Sequence, residues 1–261
     1  MSATVKPENL LLVQVRIIVA LVLRETRVAF GNAQLGYLWA LANPALGVAA
    51  LVLVFSLITH APPLGTSFAL FFATGILPYE MNRKLSTSLM AVFSANKGLL
   101  AYPLVKETDL IFARFILIFA TYLMVMFLFF TALVLIGEGT IPARIDQVFL
   151  AILMSALLGL GGGVSNAVIF GLWPTWQQIE AIFSRPLFFM SGIFFIPSAF
   201  GPEVRAILQW NPLLHCIEWM REGYYPNYQS VLLDKPFLFA CIGVLLMIGF
   251  GGERLYRKRL S

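Results

Sequence analysis

The sequence predicts an all-α integral membrane protein with six transmembrane helices, an N-terminal amphipathic interface helix and an outer re-entrant helical hairpin between spans five and six. Three observations lead there. First, 59% of the 261 residues are hydrophobic, 12% are charged and the mean hydropathy is +0.85, whereas soluble domains have about 45–50% apolar and about 25% charged residues. Second, apolar segments follow one another at 37–58, 68–93, 115–136, 148–173, 179–196 and 236–252, matching the roughly 20 apolar residues of a crossing helix. Third, the stretch 197–228 carries Glu203, Arg205, Glu218, Arg221 and Glu222, together with Pro197, Pro202, Pro212 and Pro226, among large apolar residues. A span rarely tolerates so many charges. Irregular backbone at membrane depth survives only inside protein or beside water, so the stretch reads as paired short helices dipping into one face of the membrane.

Residues 9–31 open the chain as a helix lying in the membrane interface. Asn9, Arg16 and Arg27 share one helical stripe, Arg24 lies beside it, and Leu and Ile cover much of the rest. This is the pattern of an interfacial amphipathic helix. The apolar run is broken by Arg16, and no small-residue cleavage site follows it, which argues against both a first span and a signal peptide. The loops 59–67 and 137–147 are short and rich in turn residues. No internal repeat or linker divides the chain, so 1–261 is read as a single transmembrane domain.

The cations orient it. Lys6, Arg16, Arg24 and Arg27 precede the first span, Lys97, Lys106 and Arg114 lie between the second and third, Arg185 is near the start of the fifth, and Arg254, Arg257, Lys258 and Arg259 follow the sixth. The opposite side receives Arg144, Arg205, Arg221 and Lys235. The positive-inside rule places both termini in the cytoplasm and the hairpin on the outer face, which makes the hairpin an exit gate. The net charge of +5 is explained by this placement, and no nucleic-acid partner is expected.

Several segments carry candidate function. The second span contains Glu80, Arg83 and Lys84, and an unpaired charge at that depth costs roughly 2.5–3.5 kcal/mol. Glu80 is expected to pair with Arg83 or Lys84 at helical spacing, leaving one cation over. Two readings are open: a pathway-lining cation that meets an anionic substrate, or a structural ion pair at a helix kinked near Pro78. Trp173 and Trp176 fit an aromatic interface belt, and they could also stack on sugar rings entering a channel. The segment with Lys97, Tyr102, Lys106, Glu107 and Asp109 reads by pattern alone as a solvated loop; a short helix docking in a partner's groove is the other reading. The tract LGLGGGVSN at 158–166 lacks the Gly-Lys-Ser/Thr ending of a phosphate loop, and its small residues predict close helix–helix approach. Cys216, Cys241, His60 and His215 show no metal or disulfide spacing. No catalytic constellation emerges, so a transport subunit rather than an enzyme is expected.

Together these segments resemble the membrane permeases of polysaccharide ABC exporters. LGYLWALANP at 35–44 looks like the start of that family's first span, and GILPYEMNRKLSTSLMAVFSANKGLLAYPLVKETDLIFAR at 75–114 is similar to its second span, coupling helix and start of the third. SGIFFIPSAFGPEVRAILQWNPLLHCIEWMREGYY at 191–225 is similar to its fifth span and outer hairpin, and the run from Asn211 to Gly223 resembles the capsular branch, the KpsM type, more than the O-antigen or teichoic-acid branches. One departure is that WPTWQQIE lacks an Arg-Asp pair that many related permeases carry there.

The resemblance implies a permease homodimer in the bacterial inner membrane, bound to two copies of a cytoplasmic ATPase that holds ATP and magnesium. This chain itself would bind no cofactor. It further implies that 97–109 is the coupling helix, that Asn211, His215, Glu218, Arg221 and Tyr224 belong to the gate, and that lipid-linked acidic polysaccharide leaves through a channel between the two copies. A periplasmic co-polymerase and an outer-membrane export protein would continue the route. Other readings are an O-antigen, teichoic-acid or small-molecule ABC permease and, in a different class, a secondary transporter. A secondary transporter commonly shows internal repeats, and none is visible here.

Overall fold

In the computed structural model, which describes residues 10–30, 35–59, 61–100 and 105–260, every regular element is helical. In chain order these are α1 (Leu10–Phe30), α2 (Leu35–Ile58), α3 (Phe68–Met90), the single turns α4 (Val92–Ala95) and α5 (Lys97–Leu100), α6 (Glu107–Leu135), α7 (Ile145–Leu172), α8 (Trp176–Met190), a 3₁₀ turn at Pro197–Ala199, α9 (Pro202–Leu208), α10 (Pro212–Tyr224) and α11 (Lys235–Leu260).

Local chemistry explains where several of them begin. Ser67 caps α3, its Oγ accepting the Leu70 N–H, and itself donates to Glu138 Oε2 at 2.8 Å. An oxygen at this position satisfies one of the amide groups that a helix start leaves open. The Asp109 carboxylate accepts the Lys106 N–H at 3.0 Å and so closes the first turn of α6. Asn211 caps α10 with Pro212 at the first helical position, where a missing N–H costs nothing.

Helix α7 is the centre of the bundle, packed against α3, α10 and α11. Its glycine tract explains how. A Cβ at Gly163 would stand 2.8 Å from the Leu89 Cβ on α3, and one at Gly161 would stand 2.9 Å from the Leu245 Cβ on α11. Small residues on two faces therefore let α7 meet both neighbours at backbone distance, the packing that associates helices where the solvent is itself apolar. Hydrogen bonds stitch the same seam: Ser155 Oγ donates to the Pro78 carbonyl at 2.8 Å and Asn82 Nδ2 to the Ser155 carbonyl at 3.0 Å. The main core combines Phe71, Phe72, Leu77 and Met81 of α3 with Ile217 and Met220 of α10. A second core at the other end joins Leu21 of α1 to Leu89, Val92, Leu110, Ile111 and Val164.

Among the described residues, three helices are long and apolar enough to cross a membrane, Glu107–Leu135, Ile145–Leu172 and Lys235–Tyr256, and Ala42–Ile58 is a shorter apolar one. The remaining expected spans, 68–93 and 179–196, are not among these. Helix α3 ends at Met90, not 93, and its second half is charged. Helix α8 has 15 residues and ends at Met190, about 22 Å at 1.5 Å per residue, and the chain turns away through Gly192 at φ 81°. Only glycine takes that conformation without strain. The expected short helix over 97–109 is also divided: α5 is one turn, 101–104 lie outside the described residues, and Glu107 and Asp109 open the long helix α6.

Candidate functional site

Three polar clusters stand out in this apolar chain. The first is a pocket of about 270 Å³ between α3, α7 and α8, lined by Tyr79, Arg83, Ser86, Asn166, Trp176 and Glu180 among others. Arg83 makes an ion pair with Glu180, one turn into α8. Trp176 Nε1 donates to Asn166 Oδ1 at 3.0 Å, and Asn166 Nδ2 donates to Ser86 Oγ at 3.2 Å. Two of the expected channel residues, Arg83 and Trp176, thus meet in one concavity.

The others fall elsewhere. Glu80 does not pair with Arg83; it is half-buried towards α2, where a Cβ on Gly47 would lie 3.7 Å from its Oε1. Arg83 reaches instead across the pocket to Glu180, whose side chain is 13% exposed, and ion-pair attraction strengthens as solvent screening falls. Lys84 is exposed, and Trp173 is half-exposed with its ring 6.4 Å from that of Trp176. Aromatic and hydrogen-bonding groups beside a tethered cation make a surface suited to a polar, hydroxyl-bearing ligand.

The second cluster is the hairpin. Helix α9 lies on the surface, whereas α10 is buried along nearly its whole length. Arg221 and Glu218 form a wholly buried ion pair, Nη1 to Oε1 3.3 Å. Arg221 also donates to the carbonyls of Phe195 at 2.9 Å and Ile193 at 3.2 Å, and its guanidinium stands 4.2 Å from the centre of the Phe71 ring. Tyr228 donates its hydroxyl to Glu218 Oε2 at 2.6 Å. Burial pulls the Arg221 guanidinium below its ordinary pKa, and the charge of Glu218 opposes the shift. Asn211 ties the α10 start to α8, with Nδ2 on the Met190 carbonyl at 3.1 Å. Tyr224 donates to the Thr140 carbonyl at 2.8 Å. The five expected gate residues therefore sit on the half of the hairpin fastened to the bundle.

The third cluster lies around the start of α6. Arg114 donates to both oxygens of Glu25 at 2.9–3.1 Å and to the Ser88 carbonyl at 3.0 Å. Gln14 donates to Asp109, and Arg24 donates to Asn96 Oδ1 at 2.8 Å. Helix α1 is thus latched to both segments flanking the expected coupling region, with Val15, Val19 and Leu23 left as an exposed apolar stripe. Of the remaining expected residues, Lys97 and Lys106 are exposed, Glu107 is buried, Arg16 and Arg27 lie on exposed positions of α1, and Tyr102 lies outside the described residues.

The ABC-2 type transporter family matches residues 16–225 of the sequence, which takes in all three clusters apart from Gln14 and Tyr228. The chain belongs to the ABC-2 type transporter family. Curated relatives of this ABC-2 chain are similar along nearly their whole length. The polysialic acid transport protein KpsM of Escherichia coli is 32% identical over 240 residues, 92% of each chain. The capsule polysaccharide export inner-membrane protein CtrC of Neisseria meningitidis serogroup A is 28% identical over 248 residues, 95% of this chain and 94% of its own. The capsule polysaccharide export inner-membrane protein BexB of Haemophilus influenzae is 27% identical over 251 residues, 96% and 95%.

Among the members of these ABC-2 clusters that sequence reasoning missed are Glu25, Glu180 and Asn166. Each carried a signal. Glu180 is an acid inside an expected span, Asn166 a carboxamide inside another, and Glu25 an acid in an otherwise basic helix. Polar groups in such places face protein partners.

Proposed function

We propose that this chain is the membrane subunit of an ATP-driven exporter that moves lipid-linked capsular polysaccharide from the cytoplasm across the inner membrane. The observation that carries this is similarity over at least nine-tenths of the chain to inner-membrane proteins of capsule export. Two copies form the channel, each bound to one copy of a separate cytoplasmic ATPase that holds ATP and magnesium. Six segments cross the bilayer with both termini inside, α1 lies in the cytoplasmic interface, and the hairpin faces the periplasm. A co-polymerase and an outer-membrane export protein continue the route.

The scheme is physically coherent. A hydrophilic polymer needs a lined passage through hydrocarbon, and a lateral opening lets its lipid anchor stay in the bilayer. Nucleotide-driven motion at 97–109 reaches the bundle through α6 and through α1, and it biases the channel only if its two states differ in their partner contacts. Arg83, Trp176 and Asn166 line the surface past which the glycan moves.

Deletion of the gene tests the reading. Polysaccharide should accumulate inside the cells and disappear from their surface, and a soluble ATPase should co-purify with the tagged chain. Normal surface polysaccharide in the deletion strain refutes the proposal.

A further inference from the structure

A cleft of about 710 Å³ lies at the foot of the hairpin, between the α9–α10 turn and the stretch 231–237 that leads into α11. Apart from His215, one of the expected gate residues, the export scheme above gives its lining no role. Its floor is held by His215, whose Nδ1 accepts the Asp234 N–H at 3.1 Å and whose Nε2 lies 2.8 Å from the Gln209 carbonyl. A carbonyl only accepts, so Nε2 carries the ring proton and both ring nitrogens are occupied. The wall is therefore fixed in place by its own hydrogen bonds. Across the mouth stands Trp210, 71% exposed, with its ring edge-on to Phe237 at 6.0 Å.

The polar groups of the cleft are nearly all acceptors. Glu222 receives the Ser230 N–H at 2.9 Å through Oε1, and Asp234 receives the Phe237 N–H at 2.9 Å through Oδ1. The second oxygen of each carboxylate receives no hydrogen bond from the described residues, nor does the Gln209 side-chain oxygen, whose amide nitrogen donates to the Ala206 carbonyl. The one cation is committed elsewhere: Lys235 Nζ donates to Gln147 Oε1 at 3.2 Å and stands 4.4 Å from the centre of the Trp219 ring.

An exposed aromatic face beside convergent unfilled acceptors selects a ligand with an apolar face and several adjacent donors. A pyranose ring has both, in its C–H face and its hydroxyl rim. A peptide brings roughly one backbone donor per residue and as many carbonyl acceptors, which the carboxylates repel. Phosphates and uronic acids bring negative charge to two carboxylates and are disfavoured. The volume lies in the range of small-ligand pockets.

We propose that this cleft binds a neutral sugar unit, stacked on Trp210 and hydrogen-bonded through its hydroxyls to Glu222, Asp234 and Gln209. The chemistry of the cleft stands by itself. That the sugar belongs to a glycan leaving the channel rests on the export reading.

The test uses the full chain in lipid nanodiscs, with saturation-transfer NMR on maltotriose, on the N-acetylglucosamine trisaccharide and on trigalacturonate. The neutral trisaccharides should bind, and Trp210→Ala should weaken them about tenfold, the loss of one aromatic contact. Glu222→Gln and Asp234→Asn should each weaken them less, and Asp234→Asn keeps a good helix cap. Trigalacturonate should bind more weakly than either neutral probe and gain from Asp234→Asn. No transfer to either neutral probe overturns the proposal, as does binding unchanged by Trp210→Ala. Sugars that stay silent while a photo-crosslinker at 210 captures a periplasmic protein also overturn it. If the neutral probes bind through Trp210 yet cells lacking the chain keep normal surface polysaccharide, the sugar site stands and the export reading falls.

Discussion

Glu25 on α1 and Arg114 on α6, 89 residues apart in sequence, meet as a forked pair in which both carboxylate oxygens receive guanidinium donors at 2.9–3.1 Å. Their side chains are 9% and 12% exposed, and Arg114 also holds the Ser88 carbonyl near the end of α3. Three helices are thus joined at one point beside the segment expected to receive the ATPase.

Glu25→Gln should cost about 1–3 kcal/mol, because a largely enclosed arginine loses its charge partner. The check is a lowered thermal midpoint of the purified protein, with Arg114→Lys falling between Glu25→Gln and wild type, since lysine keeps the charge but not the fork. A midpoint unchanged in both variants would remove the latch from the account.

Gly163→Ala should destabilise by about 1–3 kcal/mol, the usual cost of forcing extra volume into a filled seam, because the new methyl meets Leu89 and the Leu85 carbonyl. Gly243→Ala is the control. Its methyl meets nothing within 4 Å, and alanine favours a helix over glycine by about 1 kcal/mol. The pair is compared by thermal unfolding, and the two shifts should have opposite signs.

Arg221→Met should cost roughly 3–5 kcal/mol, since Glu218 is left charged and buried with Tyr228 as its remaining donor. Adding Glu218→Gln should recover much of that loss, because a neutral pair carries a far smaller desolvation penalty. Expression level and thermal midpoint of the single and double variants measure the recovery.

Arg83→Glu should abolish surface polysaccharide, and Arg83→Glu with Glu180→Arg should restore part of it if the α3–α8 ion pair is what export needs. Full loss in the double variant would instead assign the arginine's own charge to the passage of the glycan. Surface staining of the variant strains reads both outcomes.

Burial, and then the charge and hydrogen bond of Glu218, push the Tyr228 phenol above its ordinary pKa. The folded protein keeps this proton where the unfolded chain has lost it, so stability should fall as pH rises above about 10, the ordinary tyrosine value. Tyr228→Phe should flatten that alkaline decline, as followed by thermal midpoint against pH.

Much of this fold was legible because the signals are local. The helical start at Phe68 follows from the apolar run that begins there, and the close approach of α7 to its neighbours follows from the glycines at 159, 161 and 163. The candidate site was only half legible. Arg83 and Trp176 were identified by residue type, but their partners Glu180 and Asn166 were not. A carboxylate 97 residues away in sequence competes with one three residues away only once the bundle is closed.

The division at 97–109 has the same origin. By pattern the charges there read as a solvated loop, and by resemblance as one coupling helix, yet Asp109 is buried against Gln14 and caps the start of α6. The hairpin shows it again, since the prolines and charges of 197–228 mark two short helices but not which of them is interior.

Composition, hydrophobic run lengths and small-residue tracts by themselves determined that this chain is helical and apolar, and roughly where several of its long helices lie. These are properties of a residue and its near neighbours along the chain. Tertiary structure alone decided that Arg83 turns to Glu180, that Glu25 grips Arg114, and that Glu218 and Arg221 fasten α10 inside the bundle. In each case a charge finds the opposite charge or the carbonyl that packing brings within about 3 Å, and for the wholly buried Glu218–Arg221 pair leaving one partner alone costs several kcal/mol.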